Sequence, residues 1–421
     1  MLILTLTFAA VTLSLSLTSQ AQTETVIYNF ADETGHNSPA GPAAGLVLDS
    51  AGNLYGTTSY GGAHDYGVVF ELSPIAGGGW QETTIHTFTG GNGGGAPKDG
   101  LIMDGAGNLY GTTSAGGDSS SGVVFKLSPS GGSWHESVLY SFTAGADGGF
   151  PSAGLILDSA GNLYGTTLYF GNISSTCPDG CGTAFELSPR SGGGWHFTLL
   201  HSFHGTDGTG SHASMALDSA GDLYGTSTQG GASANCDGGC GVVFELSPVT
   251  GGGWHDIVLH TFNGPDGESP YGGVVLDASE NLYGATSEGG NLSDCSPTYG
   301  SGCGLIFKLS PEVGGGWHEN VVHAFTGGAD GAYPGDYSGA SLTLDSLGNL
   351  YGTAAAGGTA GDGVLFEFSH ISGGGWTETI LHNFTGPPDG DEPACTPLFD
   401  SSGNLYGTTF VYAGTVFEIT P

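Results

Sequence analysis

The stretch GLVLDSAGNLYGTT, residues 45–58, decides the fold of this chain because close copies of it return along the whole 421-residue sequence. Each copy contains Asn-Leu-Tyr-Gly or a one-residue variant of it. The tyrosines of the seven copies are Tyr55, Tyr110, Tyr164, Tyr224, Tyr283, Tyr351 and Tyr406. A variable loop and a segment like G-V-V-F-E-L-S-P follow each copy. In all but the last copy, a glycine run, a Trp and a segment like E-T-V-L-H-T-F come next.

Each repeat predicts four short strands. In the first repeat they fall at residues 45–49, 54–59, 68–72 and 80–88, and the last of these alternates apolar and polar side chains. Residues 50–52 form a hairpin turn in which Asp49 is placed to accept backbone N–H bonds. Helical periodicity is nearly absent, which favours an all-β fold. Four strands per ~55-residue unit, repeated radially, are typical of a β-propeller.

The two ends of the chain complement each other. The last repeat stops at residue 421 after three strands, and residues 24–30 align with the fourth strand of the other repeats. We therefore predict a single seven-bladed propeller over residues 22–421, with four-stranded blades and a ring closed by the N-terminal strand. The predicted blades are 44–88, 100–142, 153–203, 213–262, 272–325, 340–384, and 396–421 together with 24–30.

Composition excludes several classes of partner. The chain has 82 glycines, 40 Asp and Glu residues, and only four Lys and Arg residues, for a formal charge of −36. Too few cations are present to neutralise phosphates, so neither nucleic acid nor an anionic membrane is expected as a partner. We expect a monomer that binds a glycan or an extracellular protein.

The N-terminus predicts export. Residues 1–21 carry no charged side chain and end in the small-x-small pattern Ser19-Gln20-Ala21. This pattern is typical of a signal peptide, the alternative being a buried core segment. No later stretch approaches the ~20 apolar residues of a membrane span. We therefore expect a secreted, extracellular or periplasmic protein, released or held at the cell surface by means other than a C-terminal anchor.

The repeat resembles the Gloeo/Verruco (GloVer) tandem repeat of exported bacterial proteins, of which residues 45–58 are a close copy. The resemblance covers roughly residues 24–421. It implies an exported repeat protein, often with an interchangeable C-terminal anchor, and no assigned activity. The L-D-x-x-G-N-L-Y segment is also similar to the propellers of the NHL and gluconolactonase-like groups, at the level of fold alone.

Side chains that recur from blade to blade are interpreted as structural. The aspartates are predicted as turn acceptors, with a calcium ring as the alternative: Asp49, Asp104, Asp158, Asp218, Asp277, Asp345 and Asp400. The tryptophans are predicted to pack between blades, with sugar stacking as the alternative: Trp80, Trp134, Trp195, Trp254, Trp317 and Trp376. The fourth-strand histidines, which Tyr28 and Tyr140 replace in two blades, predict packing and a hydrogen bond rather than metal ligation: His86, His201, His260, His323 and His382.

The connections after the second and fourth strands vary strongly, and in a propeller both lie on one face, so we predict that this variable face binds the ligand. The residues predicted to bind are Asp147, Asp207, Asp266, Asp330, Asp389, Tyr271, Tyr333 and Tyr337. The Asp-Gly pairs are either turn dipeptides or an anionic mouth for Ca²⁺. Further aromatic residues in these loops favour a carbohydrate: Tyr60, Tyr66, Phe150, Tyr169, Phe170 and Tyr299.

A binding or scaffold module is the leading hypothesis for function. The alternative is an extracellular carbohydrate-active enzyme, a polysaccharide lyase or a glycoside hydrolase, with its site at the channel mouth. Its candidate catalytic residues are those that break the repeat symmetry: His36, His204, His212 and Lys98. The sequence contains no G-x-S-x-G, H-E-x-x-H or phosphate-binding loop.

Six of the seven cysteines form close pairs in the second-to-third strand loops of three successive blades. The pairs are Cys177/Cys181, Cys236/Cys240 and Cys295/Cys303, and Cys395 is left over. They predict local disulfides in an oxidising compartment, with zinc as the alternative. We expect Cys395 to be buried.

Overall fold

The computed structural model describes residues 22–30, 40–42, 44–293, 295–296, 298, 300–335, 339–371 and 373–420. Its elements are β-strands and a three-residue 3₁₀ helix, Val411–Ala413. The strands form seven antiparallel sheets, six of four strands and one of four strands with a short fifth, which confirms the predicted seven-bladed β-propeller. Within the described ranges, none of the helical segments has the length and apolar character that crossing a membrane requires.

The first four blades run outward from the channel in chain order. Blade 1 contains β2 (Val47–Leu48), β3 (Leu54–Thr58), β4 (Val68–Pro74) and β5 (Trp80–Thr87). Blade 2 contains β6 (Ile102–Met103), β7 (Leu109–Thr113), β8 (Val123–Ser130) and β9 (Ser133–Ser141). Blade 3 contains β10 (Ile156–Leu157), β11 (Leu163–Thr167), β12 (Thr183–Pro189) and β13 (Trp195–Ser202). Blade 4 contains β14 (Ala216–Leu217), β15 (Leu223–Ser227), β16 (Val242–Pro248) and β17 (Trp254–Thr261).

The other three blades include one extra strand and the chain's N-terminal strand. Blade 5 contains β18 (Val275–Leu276), β19 (Leu282–Thr286), β20 (Leu305–Pro311) and β21 (Trp317–Ala324). Blade 6 contains β23 (Thr343–Leu344), β24 (Leu350–Ala356), β25 (Val364–His370) and β26 (Trp376–Asn383), with β22 (Ala332–Pro334) paired to β24. Blade 7 contains β27 (Leu398–Phe399), β28 (Leu405–Thr409), β29 (Thr415–Thr420) and β1 (Thr23–Asn29).

The ring closes where the two ends of the chain pair. Strand β1 lies antiparallel to β29, with a register that runs from Thr23 opposite Thr420 to Asn29 opposite Thr415. The Phe30 N–H then donates to the Gly414 carbonyl at 3.1 Å. This pairing confirms the predicted completion of blade 7 and gives β29 a neighbour on each side.

The second strand of each blade explains the Leu-Tyr-Gly motif. In blade 1, β3 is buried along its whole length, and Leu54 is fully enclosed. A Cβ atom at Gly56 would lie 2.5 Å from the ring of Phe70 on β4, so only glycine leaves room for that ring. The same contact recurs in blade 4, where Gly225 lies beneath Phe244. The glycine is therefore a packing residue, and the phenylalanine above it fills the core of the blade.

The repeated aspartates organise the first turn of each blade, as predicted. Asp49 Oδ1 accepts the N–H groups of Ala51 and Asn53, each at 2.8 Å. Its Oδ2 accepts the Asn53 amide at 2.8 Å and the Tyr55 hydroxyl at 3.2 Å. Burial alone would raise the pKa of Asp49, but these bonds hold that pKa below its usual value. The carboxylate therefore closes the hairpin and fixes the tyrosine of the motif.

The core is divided among the boundaries between blades. Seven clusters of buried apolar residues are present, and each combines residues of two neighbouring blades. At six boundaries a fourth-strand Trp meets the motif Tyr of the preceding blade edge-on, as Trp134 meets Tyr55 with ring centroids 5.8 Å apart. The predicted packing of the tryptophans is thereby confirmed.

The three predicted disulfides are present, each within the second-to-third strand loop of blades 3, 4 and 5. They join Cys177 to Cys181, Cys236 to Cys240, and Cys295 to Cys303. Cys395 is a free, buried thiol, as expected. The bridges therefore stiffen consecutive loops on the variable face.

Candidate functional site

The variable face carries the exposed aromatic side chains. In the described part of the chain, the aromatic residues that are largely exposed are Tyr60 (47%), Tyr66 (41%) and Tyr169 (44%). All three lie in second-to-third strand loops, in blades 1 and 3. Sequence reasoning placed them on this face, but the structure singles them out from the other aromatic residues by their exposure.

Neighbouring residues hold two of these tyrosine rings in place. The Lys98 ammonium lies 5.0 Å from the centre of the Tyr60 ring, within the range of a cation–π contact. Tyr66 rests on bare backbone, because a Cβ atom at Gly90 or Gly95 would come within 2.3 Å or 2.8 Å of its ring. The glycines therefore let the ring lie flat against the next connection.

Blade 3 adds a second group of rings. Phe150 and Phe170 are stacked with centroids 5.9 Å apart, and Tyr169 lies 6.1 Å from Phe150. Both phenylalanines are half-buried, and each has a positive φ. We call these three residues, together with Tyr60 and Tyr66, the aromatic platform.

The five aspartates predicted to bind a ligand lie at the outer edges of five different blades, where each organises its own connection. Asp147 accepts the Tyr140 hydroxyl and the Thr143 N–H, both at 2.9 Å. Asp389 lies 3.0 Å from His382 Nε2 and accepts the Thr385 N–H at 2.8 Å. The structure therefore does not bring these carboxylates together, and their role in binding, including Ca²⁺ binding, stays a prediction.

An acid from the next blade faces each fourth-strand histidine, and sequence reasoning missed it. Asp256 Oδ2 lies 4.0 Å from His201 Nε2, and Glu378 Oε1 lies 3.9 Å from His323 Nε2. We call the members of this set the boundary acids: Glu24, Glu136, Asp256, Glu319 and Glu378. Burial raises the pKa of Glu24, Glu136 and Glu378 to about 7.

The central channel contains a carboxylate that sequence reasoning also missed. Two adjoining cavities of about 400 and 430 Å³ share Asp99, Ser214 and Thr396, and apolar side chains of the first strands line most of the rest. Among the described lining residues, Asp99 is the titratable one. It accepts the N–H groups of Gly100 at 2.6 Å and Gly154 at 2.5 Å.

Asp99 titrates near neutral pH because of its surroundings. Part of its surface faces the channel, and burial by the surrounding blades raises its pKa to about 7 against the opposing hydrogen bonds. An alignment of the repeats distinguishes Asp99 from its equivalents. The other six copies place a small side chain or none at this position: Ala44, Ala153, Ala213, Gly272, Ala340 and Cys395.

The candidate catalytic residues are divided between two regions. Lys98 and His212 occupy the same repeat position as Tyr271. Lys98 directly precedes Asp99, and His212 stands two residues before Ser214, which also lines the channel. The His212 ring lies 4.9 Å from the Tyr271 ring, and burial lowers the pKa of His212 to about 4, so it is neutral at pH 7. His204 lies instead at the outer edge of blade 3, with its Nδ1 3.2 Å from Asp207 Oδ2.

The remaining predicted residues fall elsewhere. Tyr333 belongs to β22 and is half-buried with a φ of 58°. His36 and Tyr337, like the predicted signal peptide, lie outside the described residues. In the part of the chain that the structure describes, two groups have ligand atoms close enough for a metal ion: His201, His204 and Asp207, and Glu24, His382 and Asp389.

Solved structures share the architecture. The chain is 12% identical to a candidate 6-phosphogluconolactonase of Bacteroides uniformis over 89% of this chain and 99% of that one, with a TM-score of 0.53. A Lactobacillus plantarum protein is 16% identical over 88% of this chain and 99% of that one, with a TM-score of 0.53. An ancestral GH74 enzyme is 10% identical over 95% of this chain and 51% of that one, also with a TM-score of 0.53. At these identities the likeness concerns the fold.

No curated protein matches the sequence. The family model of the Gloeobacter/Verrucomicrobia repeat matches residues 12–236 and 170–339, which together make up more than half of the chain. The match includes the repeats that build blades 1 to 5, with the Leu-Tyr-Gly strands and Asp turns described above. The chain belongs to the Gloeobacter/Verrucomicrobia repeat family.

Proposed function

We propose that this protein is an exported binding module that holds a neutral glycan on the aromatic platform. One observation carries the proposal: the largely exposed aromatic side chains of the described chain all lie in loops of one face of a rigid ring. Buried strands support those loops at both ends, so the rings are held in place before a ligand arrives. Such preorganisation reduces the entropy lost on binding.

The chemistry of the platform suits a sugar without acidic groups. A tyrosine ring presents an apolar face and a polar hydroxyl, and a pyranose likewise presents an apolar C–H face with hydroxyls at its rim. Lys98 beside Tyr60 adds hydrogen-bond donors. The net charge of −36 disfavours a polyanionic glycan.

Two features support the proposed export. Residues 1–21 carry the pattern of a signal peptide, and three disulfides suit an oxidising compartment. A protein in that location meets extracellular polysaccharide. We expect the mature protein to act as a monomer in which one face is free to bind.

A glycan array with the purified mature protein tests this proposal. Neutral glycans should bind and acidic glycans should not. The variants Tyr60→Ala, Tyr66→Ala and Tyr169→Ala should each weaken binding by about tenfold or more, as truncation of aromatic anchors does. Val313→Ala, a fully exposed aliphatic side chain outside the platform, is the matched control and should bind normally. Normal binding by all three tyrosine variants, or capture of proteins but no glycan, would contradict the proposal.

A second candidate function, a carbohydrate-active enzyme, rests on Asp99. A carboxyl group with a pKa near 7 can donate a proton and accept one at neutral pH, which general acid–base catalysis requires. The test is release of reducing ends from neutral polysaccharides. Asp99→Asn should abolish turnover in a protein that still folds, with a modest fall in melting temperature because the amide can accept only one of the two backbone N–H bonds. Asp118→Asn, on an exposed loop, should have no effect. Absence of turnover by the wild-type protein would eliminate this candidate.

A further inference from the structure

The boundary between blades 3 and 4 differs from its equivalents by one side chain. The residue after the fourth-strand Phe is a Thr or an Asn in the other blades described there: Thr89, Thr143, Asn263, Thr326 and Thr385. In blade 7 the equivalent position lies outside the described residues. In blade 3 this residue is His204. In blade 6 the Thr385 hydroxyl donates to Asp389 at 3.0 Å. In blade 4 the Asn263 amide donates to Asp266 at 2.6 Å. His204 substitutes an imidazole nitrogen for that donor.

The substitution places two imidazoles on one carboxylate. His201 Nε2 lies 2.8 Å and His204 Nδ1 lies 3.2 Å from the same oxygen, Asp207 Oδ2. The ligand atoms of the three residues lie within 4.8 Å of one another. Asp256 approaches from blade 4, with its Oδ2 4.0 Å from His201 Nε2. Its Oδ1 is shielded from solvent and makes no hydrogen bond.

We propose that His201, His204, Asp207 and Asp256 form a Zn²⁺ site that joins blade 3 to blade 4. Two imidazole nitrogens and two carboxylate oxygens are ligands that zinc accepts in a tetrahedral arrangement. Bonds of ~2.0–2.2 Å place tetrahedral ligand atoms about 3.4 Å apart. The two histidines therefore need to move slightly away from Asp207, and Asp256, whose Oδ2 lies 4.0 Å from His201 Nε2, needs to move inward to complete the site.

The surroundings hold the site in place. The Thr176 hydroxyl donates to the His204 carbonyl at 3.4 Å. A Cβ atom at Gly205 would lie 3.4 Å from Cys177 Sγ, so the connection that carries His204 lies against the Cys177–Cys181 disulfide. His204 itself is 55% exposed, which leaves a path for the ion to enter. The second cluster, Glu24, His382 and Asp389, contains one imidazole and therefore suits zinc less well.

Isothermal titration of chelator-treated mature protein with Zn²⁺ alone tests the proposal. We expect one tight site per chain and a melting temperature that rises with Zn²⁺. His204→Thr restores the residue that other blades use, so it should fold normally, and it should lose the site with an affinity at least ~100-fold lower. Asp256→Asn should weaken binding by ~10-fold or more.

The control is His318→Thr, because His318 is an exposed histidine 3.9 Å from Glu312, and this variant should keep the wild-type affinity. Failure of the wild-type protein to bind Zn²⁺, equal binding by His204→Thr, or equal loss in His318→Thr would overturn the proposal. None of these readouts depends on glycan binding, so the two proposals fail separately.

Discussion

Six boundaries of the ring contain a Trp–Tyr contact, and the boundary between blades 6 and 7 does not. There Tyr351 meets Phe399 of the next blade, with centroids 4.8 Å apart, and is only half-buried. Its equivalents Tyr55 and Tyr283 are 5% and 2% exposed. A cleft of about 570 Å³ opens along β1, with Glu24 and Asp389 in its wall. We call this the closing boundary, because β1 forms the blade 7 side of it. It has less aromatic packing than the other six boundaries, and β1 is held within blade 7 by its backbone pairing with β29.

The largest expected effect comes from removal of the closing strand. Deletion of residues 23–29 leaves β29 with an unpaired edge and opens the ring. We expect a loss comparable with the whole stability of a domain, ~5–15 kcal/mol, so that the chain no longer folds as a monomer. Urea unfolding and size-exclusion chromatography measure this. A peptide of residues 22–30 added in trans should restore folding, and a scrambled peptide should not. Cooperative unfolding at the wild-type midpoint would show that closure is dispensable.

Removal of a tryptophan tests the other kind of boundary. Trp134→Ala removes the ring that covers Tyr55 and leaves a cavity between blades 1 and 2. We expect the free energy of unfolding to fall by about 3 kcal/mol, at the lower end for a large aromatic because Trp134 is half-buried. Leu347→Ala, on an exposed turn, should change it by less than ~0.5 kcal/mol. A similarly small effect for Trp134→Ala would remove the distinction between the boundaries.

The boundary acids predict how stability depends on pH. Burial, followed by the charge of Asp389, raises the pKa of Glu24 to about 7, and burial does the same for Glu378. Their stabilising effect is complete below their unfolded pKa of ~4.5 and is lost as pH rises through about 7. Hydrogen bonds from His201 and His204 lower the pKa of Asp207 to about 2 despite its burial, so its contribution is lost as pH falls through about 2.

We therefore expect maximal stability at mildly acidic pH, between about 4 and 5. Urea midpoints measured from acidic to alkaline pH check this expectation. Glu24→Gln and Glu378→Gln should flatten the decline towards neutral pH. Glu24 and Glu378 are better test sites than Glu136. Burial lowers the pKa of His86, which lies beside Glu136, and this makes stability rise with pH there, opposite to the effect of the acid. A stability maximum above neutral pH would contradict the argument.

The repeat made most of the fold predictable from sequence. The Asp49 turn, the Trp134 contact and the closing strand β1 could be predicted because each belongs to a local pattern that recurs along the chain. The boundary acids were not recognised, although an acid stands two residues after the Trp, or after its equivalent Gln22, in all but one blade. Each boundary acid meets a His of the blade before it, and that contact depends on the ring geometry. Asp99 was missed because it breaks the pattern only once.

The smallest effect is a gain at the closing boundary. Gln22 precedes Glu24 by two residues, as Trp80 precedes Glu82, so Gln22 stands where the other blades carry Trp. Gln22→Trp should bring a ring to the exposed side of Tyr351 and raise the free energy of unfolding by ~0.5–1.5 kcal/mol. Gln22→Leu distinguishes edge-on ring packing from simple apolar burial, because we expect it to raise the free energy of unfolding by less than Gln22→Trp does. If neither variant changes stability, Phe399 already supplies all the packing that Tyr351 can use. The boundaries would then differ in which rings meet but not in how much that contact stabilises the fold.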